Sequence, residues 1–360
     1  MKNNSLSSRL DLQSKAQQWI EKIRQVSIKD FLTILIAILV AFIIAGILIV
    51  VIGINPLEAY REFLRGSLGS KNGIAEVLVR TTPLALAGLG VSIAFRAGIW
   101  NIGAEGQIYM GALGATLAGL FLPPMPIWIH LPLAVAAGFI FGATWGAVVG
   151  FFKARLGANE VIITIMMNYL ATYLVGYLVS DPLKDTSGLI PQPQSAKIPV
   201  TAILPKILPA TRAHAGILVA VLAVALVFFL LKRTTWGYNF IVLGANREAA
   251  RYGGIPILIT TILVMAFSGG FAGLAGAGEV LGLQHYLTQD ISPGYGNLAI
   301  AVALFGGLEP VGVALSAFFF GTIMVGAEAM QRAMGVPTSM VYIIQALMIM
   351  IVLARRVFRR

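Results

Sequence analysis

The sequence contains no cysteine and only three histidines, the widely separated His130, His214 and His285. Disulfide bridges and cysteine-based metal sites are therefore excluded, and neither a histidine metal centre nor a catalytic triad is indicated. The phosphate-binding pattern Gly-x4-Gly-Lys-Ser/Thr is also missing, so the chain does not itself cradle a nucleotide. We expect no catalytic residue, no metal and no cofactor in this chain, and an enzyme has little support.

Charge is the second scarce property. Only 11% of the 360 residues are charged and 58% are hydrophobic, whereas soluble domains contain about a quarter charged residues. Apolar runs of about 20 residues recur along the chain, which is typical of an all-α polytopic membrane protein in a lipid bilayer. The net charge of +11 could suggest nucleic acid, but no nucleic-acid module is present, and basic residues in a membrane protein mostly report its topology.

The apolar runs predict about ten transmembrane helices. A break at Gly306-Gly307-Leu308-Glu309-Pro310 divides one long run into two short segments, because Pro310 and the paired glycines disfavour a continuous helix. With ten spans, most of the 26 lysine and arginine residues lie on one side together with both termini, which indicates cytoplasmic ends. The predicted spans are 31–53, 74–95, 98–121, 131–152, 161–180, 216–231, 255–278, two within 297–327, and 336–353.

Three stretches lie outside the predicted transmembrane domain 31–354 or interrupt it. Residues 1–30 repeat apolar positions at spacings of three and four, which fits an amphipathic helix on the cytoplasmic surface, although a solvated tail fits as well. Residues 181–213 contain six prolines and predict a long extracytoplasmic loop. Residues 355–360 form a basic cytoplasmic C-terminus.

Glycine, in contrast, is plentiful, with 39 residues in so apolar a chain. Gly138, Gly142, Gly146 and Gly150 form an unbroken every-fourth ladder within the span 131–152. Small residues at this spacing let a neighbouring helix backbone approach closely inside a bilayer. We interpret the ladder as packing.

The segment Lys232–Pro256 is too polar to cross a bilayer and carries complete helix signals. Asn246 is a good N-cap, and acidic and basic residues in the first and last turns match the helix dipole. Gly253 and Gly254 supply a left-handed stop before Pro256. The sequence therefore predicts a short helix at 247–252, which is either part of a solvated connection or a dedicated docking helix, at about even odds from base rates.

Polar residues inside the predicted spans are the other candidates for function. Asn101, Glu105 and Gln107 cluster at the cytoplasmic entrance of the third span, and Asn168 and Tyr169 lie in the fifth. Buried polar groups are costly in lipid, so these side chains should face protein, water or a passing solute. For Glu105 the alternative of bonding exposed backbone is favoured, and interhelical hydrogen bonding is equally open for Asn168 and Tyr169.

Four stretches carry a resemblance to a known family. FRAGIWNIGAEGQIYMGALGA (95–115) resembles the third-span signature of the ABC-importer permeases for ribose, branched-chain amino acids and nucleosides. NEVIITIMMNYLATYLVGYLV (159–179) is similar to the nucleoside and simple-sugar branch. WGYNFIVLGANREAARYGGI (236–255) resembles the family's cytoplasmic coupling segment, and GYGNLAIAVALFGGLEPVG (294–312) resembles its late signature.

The resemblance implies a type II ABC importer permease fold with about ten helices. It also implies a cytoplasmic ABC ATPase that binds the ATP, an extracytoplasmic substrate-binding protein near the 181–213 loop, and a second permease subunit, usually a different homologous chain in the nucleoside branch. The coupling segment 232–256 would then dock into the ATPase. Its contact residues, carried over by position, are Gly244, Asn246, Arg247, Glu248, Ala249, Ala250, Arg251 and Gly253.

Two functions from different classes remain open. The favoured one is a permease subunit that translocates a small polar solute, a nucleoside or else a simple sugar, along a path near Asn101, Glu105, Gln107, Asn168 and Tyr169. The alternative is an ion-coupled secondary transporter that uses Glu76, Arg80, Glu105 or Glu279 as charge relays. A membrane scaffold without transport activity is a third option that the sequence alone leaves open.

Overall fold

The fold was examined in a computed structural model, which describes residues 39–186 and 192–337 and single positions at 36, 339, 342–343, 346–347 and 350. The predicted tail 1–30 and C-terminus 355–360 lie outside the described residues, as do most of the last predicted span and part of the first. The helices are α1 Leu39–Val51, α2 Pro56–Ser67, α3 Lys71–Arg96, α4 Ala104–Phe121, α5 Ile127–Leu156, α6 Glu160–Ser180, α7 Gly216–Arg233, α8 Thr235–Ala245, α9 Arg247–Tyr252, α10 Ile257–Gly278, α11 Tyr295–Phe305 and α12 Pro310–Met334.

The chain divides into two compact units. One contains α1 and the start of α2, together with the residues that follow Ala333. The other is Tyr60–Ala333, which carries α3 to α12 and every site discussed below. Within the second unit α10 is central, because it packs against α3, α4 and α5.

The described part of the chain is a polytopic helical membrane protein, as predicted. Six of its helices are long and apolar enough to cross a bilayer: α3, α5, α6, α7, α10 with its extension to Gln284, and α12. Five of them, α3, α5, α6, α7 and α10 without its extension, begin and end within four residues of predicted spans, whereas the last run is divided differently. Its break at Gly306–Pro310 is confirmed, with α11 before it and α12 after it. The second segment is longer than predicted, at 25 residues.

Two helices were missed by the sequence interpretation. The amphipathic α2 begins at Pro56, a residue suited to the first turn of a helix. The second, α8, fills the polar segment before α9 and is capped by Thr234, whose hydroxyl accepts a hydrogen bond from the Gly237 amide at 3.1 Å. The predicted loop 181–213 contains only a short 3-10 turn at Val200–Ala202 and isolated bridges among its described residues.

The glycine ladder of α5 packs directly on α10, as the sequence predicts. A Cβ atom placed on Gly142 would lie 2.7 Å from the Cα of Gly273, and one placed on Gly150 would lie 2.9 Å from the Cα of Ile262. Real Cβ atoms do not approach backbone so closely, so the two helices can only touch where side chains are absent. The contact fixes the position of α10 and thereby of the helices around it.

Replacing Gly142 by valine should therefore destabilise the fold by about 1–3 kcal/mol or more, because α5 and α10 must separate. We expect a lower thermal midpoint for the detergent-solubilised protein, measured by fluorescence-detected gel filtration after heating. Gly278→Ala is the matched control, since a Cβ atom there has no heavy atom within 4 Å and the backbone is helical. Equal stability of the Gly142 variant and the control would refute the packing role of the ladder.

Candidate functional site

A short, sharply capped helix projects at one end of the second unit. The side-chain oxygen of Asn246 accepts hydrogen bonds from the amides of Glu248 at 2.9 Å and Ala249 at 3.0 Å. After Tyr252 the chain leaves the helix through Gly254, whose φ of 76° is left-handed. The predicted helix 247–252 is therefore confirmed, with its cap and its stop. We call α8 and α9 together the coupling arm, Thr235–Tyr252.

Most of α9 is exposed. Glu248, Ala249 and Arg251 face outward, and the Tyr252 ring is 91% exposed. An open groove of about 450 Å3 runs beside the helix and is lined by Arg247, Glu248, Arg251, Ile255 and Ile257. An exposed aromatic side chain next to charges of both signs is typical of a protein-binding surface. The sequence interpretation did not select Tyr252, although its place at the end of a polar helix was a usable signal.

Ala250 differs from the rest of the predicted docking residues because it is fully buried against its own chain. It cannot contact a partner in this conformation, because its side chain lies on the face of α9 that packs against the rest of the chain. Of the two alanines, only Ala249 therefore offers a small, exposed side chain against which a partner could pack closely.

The coupling arm meets the rest of the unit backbone to backbone. A Cβ atom on Gly244 would lie 2.7 Å from the carbonyl carbon of Ala97 and 2.8 Å from the amide nitrogen of Gly98. Gly98 itself has a φ of 70°, which a residue with a side chain rarely adopts. Gly244 thus belongs to an internal joint between the arm and the link 97–103 that joins α3 to α4.

Three charged side chains brace the same end of the helices. Glu309, in the break before α12, pairs with Arg96 of α3 at 2.5 Å and with Lys232 of α7 at 3.1 Å. Burial alone would raise the pKa of Glu309, but the hydrogen bonds and charges of its two cationic partners outweigh it and lower the pKa. Glu309 is therefore ionised near neutral pH and holds three helices together beside the arm.

The link 97–103 enters the interior before α4 begins. Asn101 is fully buried, and its amide donates to Gln107 at 3.0 Å and to Ser268, near the middle of α10, at 2.8 Å. Asn168, near the middle of α6, accepts from the Gly106 amide at 2.7 Å and donates to the Ile102 carbonyl at 2.9 Å. These contacts place the start of α4 well inside the bilayer thickness.

The start of α11 lies at the same depth. Glu105, in the first turn of α4, accepts a hydrogen bond from the Gly296 amide at 2.6 Å. The amides of Gly294 and Asn297 and the hydroxyl of Ser292 lie close to the same carboxylate. From there α11 runs for 11 residues, or about 16 Å. Just after its end, the Leu308 carbonyl accepts a hydrogen bond from Nε of Arg96 at 2.8 Å. That length is about half a bilayer core.

The N-terminal ends of α4 and α11 thus meet at Glu105. Each N-terminus presents unpaired amides and the positive end of a helix dipole. The Glu105 carboxylate accepts from the Gly296 amide of α11, whereas Asn168 accepts from the Gly106 amide of α4. The prediction that Glu105 bonds exposed backbone rather than solute fits this geometry, although the backbone belongs to α11 and not to the glycines around α4. Asn101, Gln107 and Asn168 are equally engaged within the protein, whereas the Tyr169 side chain is 62% exposed.

Comparison with known proteins identifies the family. Residues 73–353 match the model of a family described as the permease component of branched-chain amino acid transport systems. The chain belongs to this permease family. It is 37% identical over 322 residues to a guanosine ABC transporter permease of Bacillus subtilis, covering 88% of this chain and 91% of that one.

Two further relatives also match the permease over most of its length. A glucose ABC transporter permease of Haloferax volcanii is 35% identical over 338 residues, covering 91% of this permease and 88% of the relative. A nucleoside ABC transporter permease of Lactococcus lactis subsp. cremoris is 31% identical over 325 residues, covering 88% of each chain. The resemblance read from the four sequence stretches is confirmed at the level of the family.

Removing the Glu105 carboxylate should loosen the meeting of α4 and α11. In Glu105→Ala the amides at the start of α11 lose their acceptor inside the protein, which costs about 1–3 kcal/mol for each group left unpaired. We expect faster hydrogen exchange at residues 294–297 of this permease and a lower thermal midpoint. Glu58→Ala, at an exposed site in the first turn of α2, is the control; unchanged exchange at 294–297 would contradict the role assigned to Glu105.

Proposed function

We propose that this chain is the membrane-spanning permease subunit of an ABC importer, with the coupling arm docked on a cytoplasmic ATPase. The observation that carries the proposal is the arm itself. It presents Glu248, Ala249, Arg251 and Tyr252 to the outside and rests through Gly244 on the link that leads to the centre of the bundle. A secondary transporter has no evident use for such an arm.

Three of the four relay candidates named from the sequence, Glu76, Arg80 and Glu105, are engaged in ways that also favour an external energy source. Glu76 and Arg80 pair at 3.6 Å, and Arg80 donates to Tyr295 at 2.9 Å and to Glu328 at 3.1 Å. Glu105 is committed to the amides of α11. Carboxylates held by structural bonds are poor proton or ion relays, because releasing them leaves buried partners unsatisfied.

The proposed cargo is a nucleoside, with a simple sugar as the alternative. Relatives named for guanosine, for nucleosides and for glucose match most of this chain at 31–37% identity. The partners would be an ABC ATPase, a second permease subunit and an extracytoplasmic substrate-binding protein. The protein would lie in the cell membrane with the coupling arm and both termini on the cytoplasmic side.

We place the translocation path along the outward face of α6. Tyr169, Tyr173 and Tyr177 are spaced by four residues, are 59–68% exposed and form one stripe. The rings of Tyr169 and Tyr173 stack with centroids 6.5 Å apart. Phenol groups near the middle of a span are poorly suited to hydrocarbon, so the stripe should face water, solute or the second permease. Asn168 and the Glu105 junction lie behind it as its support.

The dependence on an ATPase is tested by uptake of labelled guanosine into cells that produce this chain with its ATPase. A Walker-lysine mutation in the ATPase should abolish uptake. Uptake that persists with the inactive ATPase, and collapses with an uncoupler, would instead establish an ion-coupled carrier.

Within that assay, Ala249→Trp should lower uptake at least tenfold, a loss of docking energy of about 1.4 kcal/mol or more. The reason is that a large ring separates the arm from its partner while leaving the buried Ala250 untouched. Ala249→Ser is the matched control and should transport normally. The amount of the variant in the membrane is measured alongside, and normal transport by an equally abundant Trp variant would remove the docking role.

The path is tested by single cysteines, which the cysteine-free sequence permits without background labelling. We expect a membrane-impermeant maleimide to label Tyr169→Cys and Tyr173→Cys. Leu222→Cys on α7, where the native side chain is 59% exposed, should stay unlabelled because it faces lipid. Guanosine should slow labelling at the tyrosine positions. Equal labelling at all three positions, unaffected by guanosine, would place the path elsewhere.

A further inference from the structure

A second polar cavity lies at the opposite end of the bundle from the coupling arm. It has a volume of about 420 Å3, within the range of about 300–1,000 Å3 that small-molecule sites occupy. It is open on one side and its polar lining comes from four parts of the chain. The lining side chains that can form hydrogen bonds are Arg80, Arg212, Glu279, Gln284, Tyr286 and Asp290.

The cavity grades from a buried floor to an exposed rim. Glu279, where α10 continues into a π-helical turn, is 3% exposed and lies at the floor together with Arg80. Arg212 and Asp290 are exposed and stand at the rim. A solute that enters from the rim would therefore exchange water for protein contacts step by step.

The guanidinium of Arg80 is fixed by three separate helices. It bonds the Tyr295 hydroxyl of α11 and the Glu328 carboxylate of α12, and it pairs with Glu76 of its own helix. Glu76 also accepts from Arg212 at 3.2 Å, so one carboxylate ties the floor to the rim. The positions of both guanidinium groups are thus set before any solute arrives, which lowers the ordering cost of binding.

The chemistry of the lining selects the class of solute. Two guanidinium groups and two carboxyl groups line the same cavity, so an anion or a cation would meet a like charge as well as an opposite one. A neutral solute with several hydroxyls meets donors and acceptors at once: carboxyl oxygens accept from hydroxyls, and guanidinium and carboxamide groups donate to them. The Tyr286 ring adds a flat surface. Adjacent ring hydroxyls of a pentose or hexose suit this arrangement.

The floor of the cavity also communicates with the centre of the permease. Tyr295 bonds Arg80 through its hydroxyl, and its neighbour Gly296 donates to Glu105. A solute that draws Arg80 toward itself would act on the same turn that closes the two broken helices together.

We propose that this cavity is an outer recognition site of the permease for the vicinal hydroxyls of a sugar ring, carried either by a nucleoside or by a free hexose. The proposal rests on the transport function proposed above, since it gives the solute a site on the permease itself. It assigns the buried Glu279 and the rim Asp290 to the hydroxyls, Arg80 and Arg212 to the ring and hydroxyl oxygens, and Tyr286 to the flat face.

The test uses a single cysteine within the cavity of the otherwise cysteine-free permease, assembled with its ATPase in nanodiscs. Leu283→Cys lines the cavity while leaving all six polar side chains in place. We expect guanosine or glucose at millimolar concentration to slow maleimide labelling of this cysteine at least fivefold. Val200→Cys, whose native side chain is 77% exposed outside the cavity, is the control and should be labelled at the same rate with and without solute.

The pattern of protection identifies the source of the hydroxyls. Protection by guanosine and not by glucose assigns the ribose of a nucleoside, whereas protection by glucose and not by guanosine assigns a hexose. Equal protection by 2′,3′-dideoxyguanosine, which lacks both vicinal hydroxyls of the ribose, overturns the assignment. No protection by guanosine or by glucose overturns it as well.

A variant pair separates recognition from stability. Adding Glu279→Gln to Leu283→Cys should raise the solute concentration needed for half protection about tenfold, because a carboxyl group with two oxygens is replaced by a carboxamide with one. Glu58→Gln, on α2, is the matched control and should change nothing. Because labelling requires no ATP hydrolysis, its outcome is independent of the uptake assay: protection can fail while ATPase-dependent uptake stands, and the reverse.

Discussion

One carboxylate organises the centre of this permease. Broken helices leave free amides where the bilayer provides no water to satisfy them, so each break needs an acceptor from the protein. Glu105 supplies that acceptor for α11 while it also occupies the negative-charge position in the first turn of α4. At the α4 break Asn168 accepts from the Gly106 amide, so a carboxylate and a carboxamide together satisfy the two broken ends. This junction and the glycine contact between α5 and α10 together hold the helices around α4 and α11.

The remaining architecture connects the junction to the two ends of the bundle. Toward the coupling arm, the link 97–103 leads from the backbone joint at Gly98 to the buried Asn101. Toward the opposite end, the Tyr295 hydroxyl accepts a hydrogen bond from Arg80, which lines the outer cavity. The glycine contact between α5 and α10 supplies the fixed frame beside these links, because close backbone packing leaves little room for relative movement. In the function proposed above, the ATPase would act at one end of this set of contacts and the solute would bind at the other.

Much of the fold was predictable from the sequence, because apolar runs and helix caps are local signals. The bounds of α9 followed from Asn246 and the paired glycines, and the break before α12 followed from Gly306 and Pro310. The helix α2 was missed because it is amphipathic, and α8 was missed because its apolar run of 11 residues is too short to cross a bilayer. The role of Glu105 was only half predictable: its preference for backbone amides followed from polarity, but the partner lies 191 residues away in the chain.

The same limit applies to the candidate sites. Ala250 and Ala249 are chemically identical neighbours, and only the packing of α9 shows that one is buried and the other exposed. The outer cavity joins residues from α3, the loop before α7 and the turn after α10, which no spacing in the sequence connects. This lining could not be predicted from the sequence, because only the fold brings these residues together.

The joint between Gly244 and Gly98 has a mechanical consequence. Where helices touch through side chains, part of any displacement is absorbed as rotamers turn and atoms yield. Here the backbones themselves are in contact, so the joint has little compliance, and a movement of the arm reaches the link before α4 almost undiminished. In the function proposed above, the arm and not the cargo would then set how far the helices move in each transport cycle. The same movement of the arm could then serve the transport of solutes as different as a nucleoside and a hexose.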